Sequence, residues 1–308
     1  MEHGIIVKST GKSYKVLTAD GSVIDCSIKG RFRVKEIKTT NPLAVGDNVS
    51  FVREKGSPGG IITSLGERRN YIIRKSINLS KEAQIIASNI DMAFVMASLV
   101  NPETPLEFID RFIATAEAYN IPAAIIFNKT DLNTERETEY LVDLTALYES
   151  IGYKTIQISV SEKMNIEPLI EILKGKTSLL AGNSGVGKTS LLNLLNPSLN
   201  LKTERISDYH KQGVHTTTFP EMHLMPFGGA VIDTPGIRGF GVIDMERGEI
   251  YHFFPEIFRE SKNCRFHNCL HINEPSCAVI KSVQGGGIAW SRYRSYLSIM
   301  EGDSDRYR

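Results

Sequence analysis

Residues 181–190 read "AGNSGVGKTS", with Gly182 and Gly187 five positions apart and followed at once by Lys188 and Thr189. The stretch lies between a short apolar run, "TSLL", and an amphipathic one, "TSLLNLL". A glycine-rich loop between a strand and a helix has the chemistry of a triphosphate cradle. Successive backbone N–H groups face one concavity, the helix N-terminus adds positive potential, and the glycines let phosphate oxygens approach. Gly182, Asn183, Ser184, Gly185, Val186, Gly187 and Ser190 are expected to line the phosphates. Lys188 should neutralise the terminal ones and Thr189 should ligate Mg²⁺.

Three other stretches supply what a phosphate loop needs. "AVIDTPG" is a strand ending in Asp233, an acid placed to hold the metal directly or through water, with the Gly236 N–H available to the terminal phosphate. "HTTT" at 215–218 offers a hydroxyl to the Mg²⁺ shell from Thr216, Thr217 or Thr218, and Thr217 is taken as the ligand. "NKTD" at 128–131 ends the strand "AAIIF". Asp131 can accept two hydrogen bonds from the ring N–H and exocyclic amine of guanine, whereas adenine offers an acceptor at that ring position and leaves the carboxylate unpaired. Asn128 and Thr130 belong to the same turn, the Lys129 stem can lie over the base, and Ser159 with the Val160 N–H, in "ISVS", completes the pocket. Hydrolysis also needs a positioned water. Ile237 follows Asp-Thr-Pro-Gly and has no hydrogen-bonding group, so slow intrinsic turnover is expected, with His215 orienting the water once its loop is ordered.

These elements run in the order base recognition, phosphate loop, threonine run, Asp-Thr-Pro-Gly, whereas an ordinary small GTPase begins with the phosphate loop and ends with base recognition. All of them end parallel strands of one sheet, so joining the old termini and cutting elsewhere leaves the site unchanged in space. The supporting elements alternate in the required way. "IDMAFVMASL", "IPAAIIFNK", "KTIQIS" and "GAVIDTPG" read as strands, and "PLEFIDRFIATAEAY", "TEYLVDLTALYES" and "IEPLIEILK" as helices. The polar stretch from 200 to 219 interrupts this alternation and reads as a mobile loop.

Ahead of this α/β unit, residues 1–70 contain five short strand patterns: "GIIVKS", "SYKVLTA", "SVIDCSI", "DNVSFV" and "GGIITSL". Their Gly and Pro punctuation predicts an oligonucleotide-binding (OB) β-barrel. Residues 1–75 hold 14 Lys and Arg against 7 Asp and Glu, while the whole chain has a net charge of +1. A polyanionic partner, RNA, is therefore expected at the barrel. Tyr14 between Lys12 and Lys15, and Phe32 between Arg31 and Arg33, either stack on bases or fill the barrel; Cys26 is expected in its core.

After residue 243, Cys264, Cys269 and Cys277 gather three thiols near His267 and His271. Three thiols cannot all pair internally, and with one imidazole they fill a tetrahedral shell, so a closed structural Zn²⁺ site is expected. Either histidine can be the fourth ligand. No apolar run approaches the roughly 20 residues that span a bilayer. "MEHGIIVKST" lacks the features of a signal peptide, so a cytoplasmic protein without membrane contact is expected.

The permuted order, the barrel before it and the cysteines after it resemble the bacterial ribosome small subunit-dependent GTPases, the RsgA (YjeQ) family. The resemblance runs through "NKTD", "GNSGVGKTS", "HTTT", "DTPGIRGF" and "CRFHNCLHINEPSCAV". It implies GTP hydrolysis to GDP and phosphate, stimulated by the small ribosomal subunit, and a role in the late maturation of that subunit. It also selects His271 as the fourth zinc ligand. Val214 stands where arginine is usual before His-Thr-Thr-Thr, and Asn165 where glycine is usual after the base-pocket serine. The expected architecture is multidomain: an OB-type barrel over 1–70, a circularly permuted α/β P-loop GTPase domain over 71–243, and a small α-rich zinc-binding domain over 244–308. Its expected partners are GTP and GDP with Mg²⁺, and the small subunit with its rRNA, met by a monomer. A short link from the Asp233 region to the zinc domain suggests that nucleotide state tilts that domain. An RNA-binding module with GTP as a structural ligand, and an ATPase with a chance Asn-Lys-Thr-Asp, are the rival readings.

Overall fold

The computed structural model describes residues 1–11, 13–28, 42–54, 56, 58–75, 83–202, 219–234 and 246–302. The expectations for Lys12, Arg31, Phe32, Arg33, Val214, His215, Thr216, Thr217, Thr218, Gly236 and Ile237, and for a mobile loop over most of 200–219, concern residues outside that set.

The N-terminal strands β1 (Glu2–Ser9), β2 (Tyr14–Thr18), β3 (Val23–Ile28), β4 (Asn48–Arg53) and β5 (Gly60–Leu65) close on themselves. β1 pairs antiparallel with β2 and β4, β2 with β3 and β4 with β5, while β3 runs parallel to β5. Period-two alternation drives the closure. Tyr14, Val16, Ile24, Cys26, Phe51 and Ile62 point inward to one core, while Lys15 and Asp25 face out. Cys26 is a core residue as expected. Tyr14, only 1% exposed, fills the barrel and offers no platform for a base.

A hairpin that the strand–helix pattern did not predict, β6 (Tyr71–Lys75) with β7 (Ala83–Ser88), joins barrel to sheet. Here Asp47 is fully buried. Arg68 donates to both its oxygens at 2.6 Å, the Ser88 hydroxyl donates at 2.6 Å and the Ala44 N–H at 2.8 Å.

The central sheet follows: β8 (Met92–Ala97), α1 (Leu106–Ala118), β9 (Ala123–Phe127), α2 (Glu135–Ile151), β10 (Lys154–Gln157), α3 (Ile166–Leu173), β11 (Thr177–Gly182), α4 (Lys188–Leu195), β12 (Glu221–Leu224) and β13 (Ala230–Asp233). The spatial order is β10-β9-β8-β11-β13-β12, parallel except for β12. Strands buried on both faces read as unbroken apolar runs, and every residue of β8 and β9 is buried. Ala93, Val95 and Ala97 pack toward α1 and α2, while Met92, Phe94 and Met96 pack toward α3 and α4. The outer edge of β12 meets the barrel at a single register pair, Lys8 opposite Glu221, and their side chains form an ion pair at 2.7 Å.

A 3-10 turn (Ile250–Phe253) and helices α5 (Pro255–Ser261), α6 (Ala278–Gln284) and α7 (Trp290–Met300) form the C-terminal unit, whose core includes Ala114 from α1. Among the described residues, no helix is long and apolar enough to cross a membrane.

Candidate functional site

The loops predicted to act together leave one rim of the sheet. Residues 128–131 follow β9, 158–161 follow β10, the phosphate loop follows β11, and Asp233 ends β13 beside Leu180 of β11. Gly182 sits opposite Met96, and Phe127 opposite both Ala97 and Gln157, so the strand ends are level.

Within the phosphate loop Gly185 and Gly187 have φ of +80° and +109°, a region that glycine enters without steric cost. A Cβ on Gly187 would also stand 2.5 Å from Asn128 Nδ2. That approach matters because Asn128, 4% exposed, ties three loops together. Its Nδ2 donates to the Val186 carbonyl at 2.8 Å, its Oδ1 accepts the Val160 N–H at 3.1 Å, and its own N–H bonds to Ala97 O at 2.8 Å. Lys188 and Thr189 open α4 and are half-buried, while Gly185 and Ser190 are exposed. Lys188 Nζ donates to the carbonyls of Gly182 (2.6 Å) and Asn183 (3.0 Å). Burial pushes its pKa below the ordinary lysine value, and the charge of nearby Asp233 opposes the shift. Asp233 is 4% exposed, and the Thr234 hydroxyl after it donates to Leu180 O at 3.2 Å.

Lys129 takes a left-handed φ of +64°, and its ammonium donates to the Asn101 carbonyl; burial lowers its pKa, with Asp131 opposing. Thr130 bonds through N–H (3.3 Å) and hydroxyl (3.0 Å) to Ile158 O, which fastens the turn to the end of β10. Asp131 is exposed and accepts the Ser161 hydroxyl at 3.2 Å. Ser159 is fully buried, and its hydroxyl accepts the Glu162 N–H at 3.1 Å. Asn165 has φ +57°, a conformation that its short polar side chain tolerates, and its Nδ2 donates to Gln157 O at 2.9 Å. Asn101 and Ser161 were not among the expected site residues. Ser161 closes the "ISVS" stretch that supplied Ser159 and Val160, Asn101 belongs to no motif, and spatial proximity reveals the role of each.

The second centre lies in the C-terminal unit. Cys264 and Cys277 Sγ are 3.8 Å apart, His271 Nδ1 is 3.5 Å from each, and the donor atoms of Cys264, Cys269, His271 and Cys277 all lie within 4.8 Å of one another. Tetrahedral bonds of about 2.3 Å to sulfur and about 2.0–2.1 Å to nitrogen imply edges of about 3.8 and 3.5 Å, so the donor set fits one bound ion. His267 is exposed and outside the cluster, whereas His271 is 1% exposed and its ring meets Tyr251 edge-on. Burial pushes the Cys269 thiol up to about 12 and raises Cys277, so a cation is what would hold them as thiolates. Glu274 shapes the turn, accepting the N–H groups of Leu270 (2.6 Å), Ile272 (2.8 Å) and Asn273 (3.1 Å).

Comparison with known proteins covers the chain end to end. The RsgA N-terminal domain matches residues 3–62, and the RsgA GTPase matches residues 65–243. The small ribosomal subunit biogenesis GTPase RsgA of Christiangramia forsetii is 52% identical, over 99% of this chain and 98% of that one. The protein of the same name from Flavobacterium johnsoniae is 50% identical, over 99% and 94%. Among solved structures, YjeQ from Thermotoga maritima has a TM-score of 0.77 at 31% identity, covering 98% of both chains. YloQ, described as a circularly permuted GTPase, has a TM-score of 0.73 at 32% identity, covering 99% and 96%. The two family matches together span residues 3–62 and 65–243, and the two curated relatives are identical at about half of the aligned positions over 99% of the chain: the chain belongs to the RsgA family of GTPases.

Proposed function

We propose that this protein hydrolyses GTP to GDP and phosphate, is stimulated by the small ribosomal subunit, and acts in the late maturation of that subunit. The observation that carries the reading is Asn128, which binds the Asn-Lys-Thr-Asp turn to Val186 of the phosphate loop and so supports base recognition and phosphate binding in one site. Asp131 reads the guanine edge, and the Lys129 stem covers the ring. The N–H groups from Gly182 to Ser190 cradle the phosphates, and Lys188 neutralises the terminal ones. Thr189 and Asp233 offer hard oxygen donors suited to Mg²⁺, which when bound offsets charge developing on the phosphates. Outside the described residues, Thr217 completes the metal shell, the Gly236 N–H meets the terminal phosphate and His215 orients the attacking water.

The domain bounds of 1–70, 71–243 and 244–308 form part of this reading, as do rRNA as the partner of the basic barrel, a monomeric state and a cytoplasmic setting. Zn²⁺ is the ion we assign to Cys264, Cys269, His271 and Cys277, because three thiolates and an imidazole at tetrahedral spacing suit it. The names of the curated relatives support the link to small-subunit biogenesis.

The test is hydrolysis of GTP and of ATP, with and without small subunits. GTP turnover that is slow alone and rises with subunits is expected, with ATP inert. Hydrolysis of ATP at equal efficiency would sink the guanine assignment. Absence of repeated turnover with subunits would leave an RNA-binding module that holds GTP as a structural ligand. In the same assay Asp131→Asn should lose guanine preference, and His215→Ala should lose stimulation while keeping nucleotide affinity.

A further inference from the structure

A line of hydroxyls in the turn after β10 ends on the acid that reads the base. Ser159 Oγ accepts the Glu162 N–H at 3.1 Å, Ser161 Oγ lies 3.1 Å from Ser159 Oγ, and Ser161 Oγ lies 3.2 Å from Asp131 Oδ2. Each hydroxyl has one proton and two lone pairs, and an ionised carboxylate only accepts. The bond to Asp131 therefore uses the Ser161 proton, and the proton between the two serines must come from Ser159. Every bond in the line has a fixed direction: Glu162 N–H to Ser159, Ser159 O–H to Ser161, Ser161 O–H to Asp131. Bonds aligned in this way polarise one another and strengthen the last member.

The line is anchored at its inner end. Ser159 is fully buried, and its backbone exchanges two hydrogen bonds with Met164, at 2.9 and 3.3 Å. Its outer end meets a residue that needs anchoring. Asp131 is exposed on the 3-10 turn Thr130–Leu132, and the terminal torsion of an aspartate is broad, so its rotamer does not fix the carboxylate plane. Guanine presents its ring N–H and exocyclic amine side by side, and a carboxylate meets both only with its two oxygens in the plane of the base. Each oxygen has two lone pairs, so Oδ2 can keep the Ser161 bond while accepting from the base. Resting on the guanine-nucleotide reading above, we propose that Ser161, and not the buried Ser159, is the positioning residue that sets the plane of Asp131 and with it the selectivity for guanine.

The experiment measures GDP and IDP binding to the full chain and to Ser161→Ala and Ser161→Thr, together with kcat at saturating GTP. IDP lacks the exocyclic amine and engages Asp131 through one N–H only. Loss of one solvent-exposed hydrogen bond predicts that Ser161→Ala raises the Kd for GDP by about 3–10-fold. The Kd for IDP should rise less, so the ratio between them narrows. The value of kcat should hold, and Ser161→Thr, which keeps the hydroxyl, should restore GDP affinity. An unchanged GDP Kd, equal weakening of GDP and IDP, or failure of threonine to rescue each overturns the assignment. A wild-type chain that binds GDP no better than ADP would instead overturn the guanine reading itself.

Discussion

Asn128 shows how much of a site one side chain can hold. Both ends of its amide are spent inside the protein, on Val186 O and the Val160 N–H, and the side chain is almost wholly buried. Asn128→Ala would leave the buried Val186 carbonyl without a partner, costing about 1–3 kcal/mol, and free the half-buried Val160 N–H at a smaller cost. That penalty falls on the relative placement of the phosphate and base loops, so GDP affinity by calorimetry should drop by about 10–100-fold. Asn128→Asp keeps one of the two bonds and should fall between. The motif itself was legible in the sequence, because its residue types match the chemistry of a purine and a triphosphate. Asn101 was not legible, and of Ser161 only its place in "ISVS" was, because their roles depend on which turn folds over which, and neither periodicity nor a short motif carries that information.

The sequence told more about elements whose burial follows a period than about those placed by tertiary contacts. The barrel strands emerged within a residue or two because inward and outward positions alternate, and β8 and β9 because they are apolar on both faces. The hairpin β6–β7 and the short strand β12 carry no such signal, and their neighbours place them: Val45 bridges Ala87, and Glu221 lies between Lys8 and Asp233. The metal turn is another element whose conformation comes from one contact. Burial alone would raise the pKa of Glu274, but the amide bonds it accepts outweigh that and lower it below its ordinary value. A depressed carboxylate pKa contributes stability that is present above the ordinary carboxylate range and lost as pH falls through the lower folded-state value. At neutral pH the clamp is therefore fully engaged. It holds residues 270–273, and hence His271 with its φ of +59°. Glu274→Ala should loosen this turn and speed metal release into an excess of chelator by at least about tenfold, followed by the colour of the chelate, with bound metal per chain unchanged at the start. An unaltered release rate would show that the thiols alone fix the turn.

At the scale of the whole molecule, buried charge marks both joints of the central domain. Asp47, paired with Arg68 inside the N-terminal unit, also accepts the Ser88 hydroxyl of the β6–β7 hairpin, and Asp110 of α1 with Arg292 and Glu256 locks the C-terminal unit. In the second network Asp110 on α1 accepts from Arg292 (2.7 Å), the Tyr148 hydroxyl of α2 (2.9 Å) and the Ser295 hydroxyl (2.6 Å). Arg292 also donates to Glu256 of α5 at 2.7 and 3.2 Å, and its guanidinium lies 4.7 Å from the Phe254 ring centroid. Burial opposes the Arg292 charge, but the two carboxylates prevail and hold its pKa well above the ordinary value. A tilt of the C-terminal unit with nucleotide state, the proposal made from the sequence, has to act through this joint. Any tilt of the C-terminal unit must carry α1 with it or break a network centred on the buried Asp110–Arg292 pair. Arg292→Met removes the cation and leaves the Asp110 carboxylate buried beside two hydroxyls. Breaking a buried pair in this way costs about 3–5 kcal/mol, whereas removing both charges is far milder. Urea unfolding should show an early transition in Arg292→Met that is partly restored in Asp110→Asn with Arg292→Met, because the fully buried carboxylate is then neutral and only Glu256, 10% exposed at its side chain, is left without the guanidinium. If the single and double variants unfold alike, the joint is held by apolar packing around Phe254 and Tyr296, and the ion network only fixes its register.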